Sequence, residues 1–349
     1  MKKITVKASK TYDIHIGMNI LDTVGALIHQ VIGGNVAAII TDDIVSAIYG
    51  NTVTTSLSEN GYKVVSHVIP NGESSKNPEN LIKILDFLAK EKLSRTDVLV
   101  ALGGGVVGDL AGFAAASYMR GIPFVQIPTT LLAAIDSSVG GKTAINLSAG
   151  KNLAGAFYQP DVVICDISTL STLSDEVFAD GCAEVIKYGV IADKELFELI
   201  KKPIQDNLIE VIARCVEIKR DIVIEDEREN GIRKLLNFGH TVGHGVEALS
   251  GYCISHGHAV AAGMAIEAKA AAKMNLCDNQ CVDEILKMLR LYNLPESTDY
   301  SLEELADACL SDKKRDGDSI TMIFPIEIGK CILKEIPVNE LQSVLELEA

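Results

Sequence analysis

Between Lys3 and Cys165, short β-branched runs alternate with helix-length amphipathic segments. Residues 3–8 and 12–16 read as two strands, an opening hairpin. Apolar runs follow at 36–41, 63–69, 97–102, 122–127 and 161–165. Each has the length of a strand buried on both faces. The gaps at 43–59, 77–92 and 106–118 carry apolar residues at helical spacing. Strands alternating with helices predict a mostly parallel sheet covered on both faces. From about residue 170 the period changes to long helical patterns at 175–201, 205–226, 237–249, 257–275, 280–292 and 302–311. TMIFPI and KCILKEI read as a short β pair before a last helix near 337–347. The change of period divides the chain into an α/β domain, 1–168, and a mainly α-helical domain, 169–349.

A length of 349 residues agrees with two domains. With 48% hydrophobic residues, no Trp and 5% aromatics, the core must be mostly aliphatic. No run of about 18 apolar residues suggests a membrane span. The N-terminus, MKKITVKASKTYDIHIG, lacks the apolar stretch of a signal peptide. Eight cysteines lie scattered without paired spacing, as expected of reduced thiols in a cytoplasmic enzyme. Cys277 and Cys281 share a helix face, but no second pair completes a metal site. A net charge of −15 argues against nucleic acid or an anionic membrane as partner. An anionic substrate would need a local basic pocket, for which Arg120, Lys142, Lys151, Lys187, Lys219, Arg233, Lys313 and Lys314 are the candidates.

The run RKLLNFGHTVGH, 233–244, changes that picture. On one helix Arg233, Asn237, His240 and His244 fall at i, i+4, i+7 and i+11 and share a stripe. Such a stripe is normally apolar. Burying these groups costs several kcal/mol unless something binds them. A further imidazole, His256, follows in SHGH, and GCAEVIKYGVI offers Glu184 and Lys187 one turn apart. Two histidines and one carboxylate with an open position form the usual ligand set of a catalytic zinc. A single histidine in such a place is more often a satisfied core residue; a whole polar stripe points to a bound ion.

GGGVVG at 103–108 satisfies GxGxxG after a strand and before a helix, the context of a Rossmann-like nucleotide loop. Taken alone the motif is weak, and no acid follows about 20 residues on. Asp42, ending the 36–41 strand, is a candidate ribose partner. GGKT at 140–143 resembles the tail of a P-loop, but Asp136 stands where its first glycine belongs, which excludes an ATPase. Thr129 and Thr130 look like hydroxyl donors at a sheet edge, although a helix cap explains one of them.

NGESSK (71–76), GGGVVGDLAGF (103–113), MRG around Arg120, PTTLLAAIDSSVGGKTAIN (128–146), GKN (150–152), AEVIKYG (183–189), LNFGHTVGH (236–244), HGHAVAAGM (256–264) and DKK (312–314) occur in one order. Together they resemble the 3-dehydroquinate synthases of the sugar-phosphate cyclase group. The resemblance implies a Rossmann-like NAD-binding domain and a helical metal- and substrate-binding domain. By position, Glu184, His240 and His256 match the metal ligands, with zinc or cobalt as the ion. Lys142, Lys187, His244, Asn152 and Asp136 match catalytic positions. Arg120, Lys151, Lys219, Arg233, Asn237 and one of Lys313 and Lys314 match substrate contacts. Asp42, Asn71, Gly72, Glu73, Ser74, Ser75, Lys76, Gly105, Val106, Val107, Gly108, Asp109, Thr129, Thr130, Lys142, Lys151, Thr169, Leu170, Ser171 and Thr172 match NAD contacts. Many members read HGE where this chain reads HGH, so His258 offers a competing ligand beside His256.

The family's activity converts 3-deoxy-D-arabino-heptulosonate 7-phosphate to 3-dehydroquinate and phosphate, a shikimate-pathway step in aromatic amino acid biosynthesis. The resemblance further implies a homodimer in which Arg120 reaches the neighbouring subunit's site. Three other readings share some of these residues. They are a sister cyclase such as 2-deoxy-scyllo-inosose synthase, a metal-dependent polyol dehydrogenase, and a non-catalytic NAD-binding regulator.

Overall fold

The computed structural model describes residues 1–311, 315–316 and 318–346. The chain forms two compact units, one of Met1–Leu173 with Lys219–Glu227, the other of Ser174–Ile218 with Arg228–Ala349.

The first unit is built on strands β1 (Lys2–Lys7), β2 (Thr11–Gly17), β3 (Val36–Asp42), β4 (Lys63–Ile69), β5 (Val98–Gly103), β6 (Phe124–Pro128) and β9 (Val162–Asp166), in the order β1-β2-β9-β6-β5-β3-β4. β1 and β2 are the expected antiparallel hairpin; every other pairing is parallel. Alternation along the strands sends side chains to two cores. Ala37, Ile39, Val98, Val100 and Leu102 enter one, and Ala38, Ile40, Leu99 and Ala101 enter the other. Burying both faces explains why these strands read as continuous apolar runs. Helices α1 (Val24–His29), α2 (Asp43–Val45), α3 (Asn51–Glu59), α4 (Pro78–Lys90) and α5 (Gly105–Ser117) fill the crossovers. α4 begins where Asn77 accepts a hydrogen bond from Asn80 N at 2.8 Å, with Pro78 in the first turn.

A two-stranded antiparallel sheet, β7 (Lys142–Leu147) and β8 (Gly150–Phe157), was not expected from the sequence. Its glycines and alanines blur the apolar alternation that announces a strand. Gly140 and Gly141 turn with φ of 89° and 67°, and Lys142 then opens a strand. A P-loop lysine opens a helix, so this segment lacks the geometry of a P-loop.

The second unit is mainly helical: α6 (Asp175–Ala192), α7 (Lys194–Leu199), α8 (Leu208–Glu225, whose last residues cluster with the first unit), α9 (His240–Leu249), α10 (His256–Lys273), α11 (Asn279–Leu291), α12 (Leu302–Ser311) and α13 (Leu341–Glu346). A sheet of β10 (Arg315–Asp316), β11 (Ser319–Glu327) and β12 (Lys330–Pro337) completes it. Two expected elements are broken. The pattern at 175–201 divides at Asp193, whose carboxylate caps α7 through Leu196 N at 2.9 Å. The run 233–244 is a 3-10 turn over Ile232–Asn237, then a left-handed Gly239, then α9. Its polar residues therefore do not form one helical stripe. Among the described residues no helix is long and apolar enough to cross a membrane.

Candidate functional site

Glu184 and Lys187 lie one turn apart in the fully buried middle of α6 and form an ion pair. Two glycines bring imidazoles to that carboxylate. Gly239 has φ 77°, and a Cβ there would meet Val260 O at 2.6 Å, so only glycine lets the chain turn against α10 and start α9 at His240. A Cβ on Gly257 would meet Asp180 O at 2.3 Å; its absence seats the first turn of α10, with His256, against α6. His240 Nε2 and His256 Nε2 thus lie 3.3 and 3.5 Å from Glu184 Oε1.

The far side of each ring fixes its chemistry. His240 Nδ1 lies 3.1 Å from Phe238 O, and His256 Nδ1 lies 3.2 Å from Glu247 Oε2. Both partners only accept, so both Nδ1 atoms carry hydrogen and both Nε2 atoms turn toward Glu184. Burial lowers the His240 pKa to about 3, leaving that ring neutral. Burial also opposes charge on His256, but hydrogen bonds to Glu184 and Glu247 outweigh it and raise its pKa to about 10. The carboxylates of Glu184 and Glu247 thus flank the His256 ring. The ligand atoms of Glu184, His240 and His256 lie within 4.8 Å of one another, a donor set that fits one divalent cation. His244, Glu247 and His256 also lie within 4.8 Å of one another, so His244 borders the same cluster. His258 turns elsewhere: its Nδ1 is 2.7 Å from Asp180 Oδ1 and 2.9 Å from Ser255 Oγ. Arg233, 1% exposed, and Asn237, whose amide donates to Glu229 Oε1 at 2.7 Å, sit on the preceding 3-10 turn.

In the first unit the strand order reverses at β3, with β4 on one side and β5 on the other. Ligands of open α/β sheets bind outside the carboxyl ends of strands at such a point. The cofactor candidates lie along that edge. Asp42 ends β3, where it caps α2 through Val45 N at 2.8 Å; burial raises its carboxyl pKa. Asn71–Lys76 follows β4, with Asn71 bonded to Asp43, Gly72 at φ 97° and Glu73–Ser75 in a 3-10 turn. Gly105, Val106, Val107, Gly108 and Asp109 form the start of α5, whose N-terminal N–H groups suit a pyrophosphate. Lys76 Nζ lies 2.9 Å from Asp109 and 3.4 Å from Glu73. Against the cost of burial, those carboxylates keep the Lys76 pKa raised. Thr129 and Thr130 follow β6. Thr130 accepts from Ala133 N at 3.2 Å, the cap reading, whereas the buried Thr129 hydroxyl has no partner among the described residues. Thr169–Thr172 follows β9 in a 3-10 turn that Tyr49 OH joins at Thr172 Oγ1, 2.8 Å away. This edge with its unmet buried hydroxyl fits a dinucleotide.

Of the remaining candidates, Asp136 and Lys219 form an ion pair, Lys142 is exposed at the head of β7, and Lys151 and Asn152 lie on β8. Arg120 is exposed on a turn where Met119, Arg120 and Gly121 have φ of 50°, 68° and 118°. Lys313 and Lys314 lie outside the described residues. Sequence reading missed Glu247 and Asp180. Glu247 was detectable as a buried acid one turn beyond His244 on α9.

Family models described as 3-dehydroquinate synthase N-terminal and C-terminal match residues 66–180 and 181–315. The 3-dehydroquinate synthase of Streptococcus suis (strain 05ZYH33) is 41% identical over 354 aligned residues, covering 99% of this chain and 100% of that protein. Two solved structures share the fold over 99% of both chains. One is 2-deoxy-scyllo-inosose synthase with carbaglucose-6-phosphate, NAD+ and Co2+, TM-score 0.87 at 26% identity. The other is ValA, the 2-epi-5-epi-valiolone synthase of Streptomyces hygroscopicus subsp. jinggangensis 5008, with NAD+ and Zn2+, TM-score 0.88 at 27% identity.

Proposed function

Because the chain belongs to the 3-dehydroquinate synthase family, we propose that it converts 3-deoxy-D-arabino-heptulosonate 7-phosphate to 3-dehydroquinate and phosphate. The observation that carries this reading is the enclosed Glu184–His240–His256 cluster, each imidazole oriented through its Nδ1. Bound NAD would supply a hydride acceptor and donor for the C5 alcohol, and zinc or cobalt a Lewis acid for its oxygen.

The chain's own residues supply the rest. Glu184, His240 and His256 hold the ion, and Lys187 beside Glu184 offsets the charge of the buried carboxylate. His244, bordering the cluster, is assigned to proton transfer. Lys142, Lys151 and Asn152 on the β7–β8 hairpin, together with Lys219, Arg233 and Asn237, are assigned to the sugar phosphate. In an acidic chain such cations answer a phosphate dianion. Asp136 holds Lys219 by its ion pair. The carboxyl ends of β3, β4, β5, β6 and β9 are assigned to NAD. We further assign a homodimer, with the exposed Arg120 entering a neighbour's site, and a cytoplasmic setting, which suits eight free cysteines.

The test is incubation with the heptulosonate phosphate, NAD and zinc or cobalt. One phosphate released per dehydroquinate formed is the expected result. A different carbocycle formed from another sugar phosphate would identify a sister cyclase instead.

A further inference from the structure

The β7–β8 hairpin is irregular at one place. Ile145 pairs with Ala154 and Leu147 with Gly150, so Asn146 alone faces Lys151, Asn152 and Leu153. Bulges of this kind bend a strand and re-aim its side chains, and they concentrate beside active sites. Asn152 sits in the bulge with φ 55°, a left-handed conformation that asparagine tolerates better than most residues. Asn146 closes it. Asn146 Oδ1 accepts from Asn152 N at 3.0 Å, and Asn146 Nδ2 donates to Glu73 Oε1 at 2.7 Å. Its own N–H donates to Lys76 O at 2.8 Å.

These partners dictate the residue type. A backbone N–H only donates and a carboxylate only accepts, so the side chain between them must do both. Aspartate would meet Glu73 with like charge, and alanine would leave both groups without this partner. Glu73 is in turn 3.4 Å from Lys76, which is bound to Asp109 at the start of α5. A continuous polar chain therefore runs from the first turn of α5 through Lys76, Glu73 and Asn146 to the backbone of Asn152.

We infer that Asn146 is a positioning residue that sets the Lys151–Asn152 bulge from the Asn71–Lys76 turn. Occupation of the cofactor edge thereby orders the hairpin that takes the sugar phosphate. This rests on the assignment of the turn to NAD and of the bulge to substrate.

Variants of the full-length, metal-loaded protein test it in two ways. In the first, deuterium exchange is followed in the peptide containing Asn152, with neither NAD nor sugar phosphate present. Asn146→Ala should raise that exchange about tenfold, as for loss of a typical hydrogen bond. In the second, NAD Kd and sugar-phosphate KM are measured for Asn146→Asp, Glu73→Gln and the double variant. Asn146→Asp should weaken NAD binding about tenfold or more, in the range for a hydrogen bond to a charged group, and raise KM. The double variant restores a donor–acceptor pair with reversed polarity, so adding Asn146→Asp to Glu73→Gln should change both values by less than about threefold, against about tenfold when it is added to wild type. Unchanged exchange in Asn146→Ala, or an equal effect of Asn146→Asp in both backgrounds, overturns the inference. Wild-type protein that binds no NAD would instead refute the functional reading, a result told apart because the exchange measurement needs no ligand.

Discussion

Glu247 Oε2 lies 3.2 Å from Nδ1 of His256, while Nε2 of the same ring faces Glu184 at 3.5 Å. A carboxylate behind a metal-binding imidazole fixes the ring's tautomer and raises its basicity, and its loss typically costs 10–100-fold in metal affinity. Glu247→Gln should weaken zinc binding by about that factor, read by competition with a chromogenic chelator, with helix content unchanged. Equal affinity in the variant would show that the contact is only packing.

Removing the ion should abolish turnover, and zinc or cobalt should restore it. Within the cluster His256 and His258 part company, because His258 is held by Asp180 at 2.7 Å. His256→Ala should lose bound metal on elemental analysis. His258→Glu should keep it, with a modest change in activity. A His258→Ala protein without metal, beside a His256→Ala protein that retains it, would reverse the ligand assignment.

In the proposed reaction bound NAD would return to C5 the hydride it takes from that carbon. Steady turnover should therefore leave no lasting absorbance of reduced nicotinamide. Stoichiometric accumulation of NADH with product would point to a polyol dehydrogenase.

Arg120 projects from a turn of three consecutive positive φ values, an unusual way to display a surface arginine. Its planar fork matches a phosphate better than a lysine does. Arg120→Lys should weaken substrate binding by roughly 1.5–3 kcal/mol, the range for a hydrogen bond to a charged group, while NAD affinity stays unchanged. Mixing Arg120→Ala with Lys187→Ala subunits should regenerate activity in hybrid dimers. Full activity in a strict monomer contradicts this.

Gly239 carries the turn into α9 at φ 77°. Gly239→Ala should destabilise the fold by about 1–2 kcal/mol from backbone conformation and roughly 1–3 kcal/mol more from overpacking. Because His240 follows directly, metal affinity should fall alongside Tm. Calorimetry with and without zinc reads both.

The alternating architecture was legible because the central strands β3, β5, β6 and β9 are buried on two faces and helical periods separate them. The β7–β8 hairpin was not, since alanine and glycine carry little period. The 233–244 run misled in form and succeeded in content. Its His240 does meet Glu184, through a break at Gly239, while His244 borders the cluster beside Glu247 and His256, an arrangement that no single-helix stripe describes. The parallel pairing of β2 with β9 joins residues far apart in sequence, for which local pattern holds no signal. Glu247 lies beyond the last histidine of the motif, and its burial on α9 depends on tertiary packing that local pattern does not carry.

The return of Lys219–Glu227 to the first unit has a bearing on recombination. A crossover at Leu173/Ser174 between two members of the family would give a chimera whose Asp136 comes from one parent and Lys219 from the other. The ion pair those two residues form would survive only if both parents shared it. Functional chimeras should therefore tolerate exchange of α9 through α13 more readily than a single cut at 173/174, and a gene truncated after Leu173 would encode an incomplete first unit.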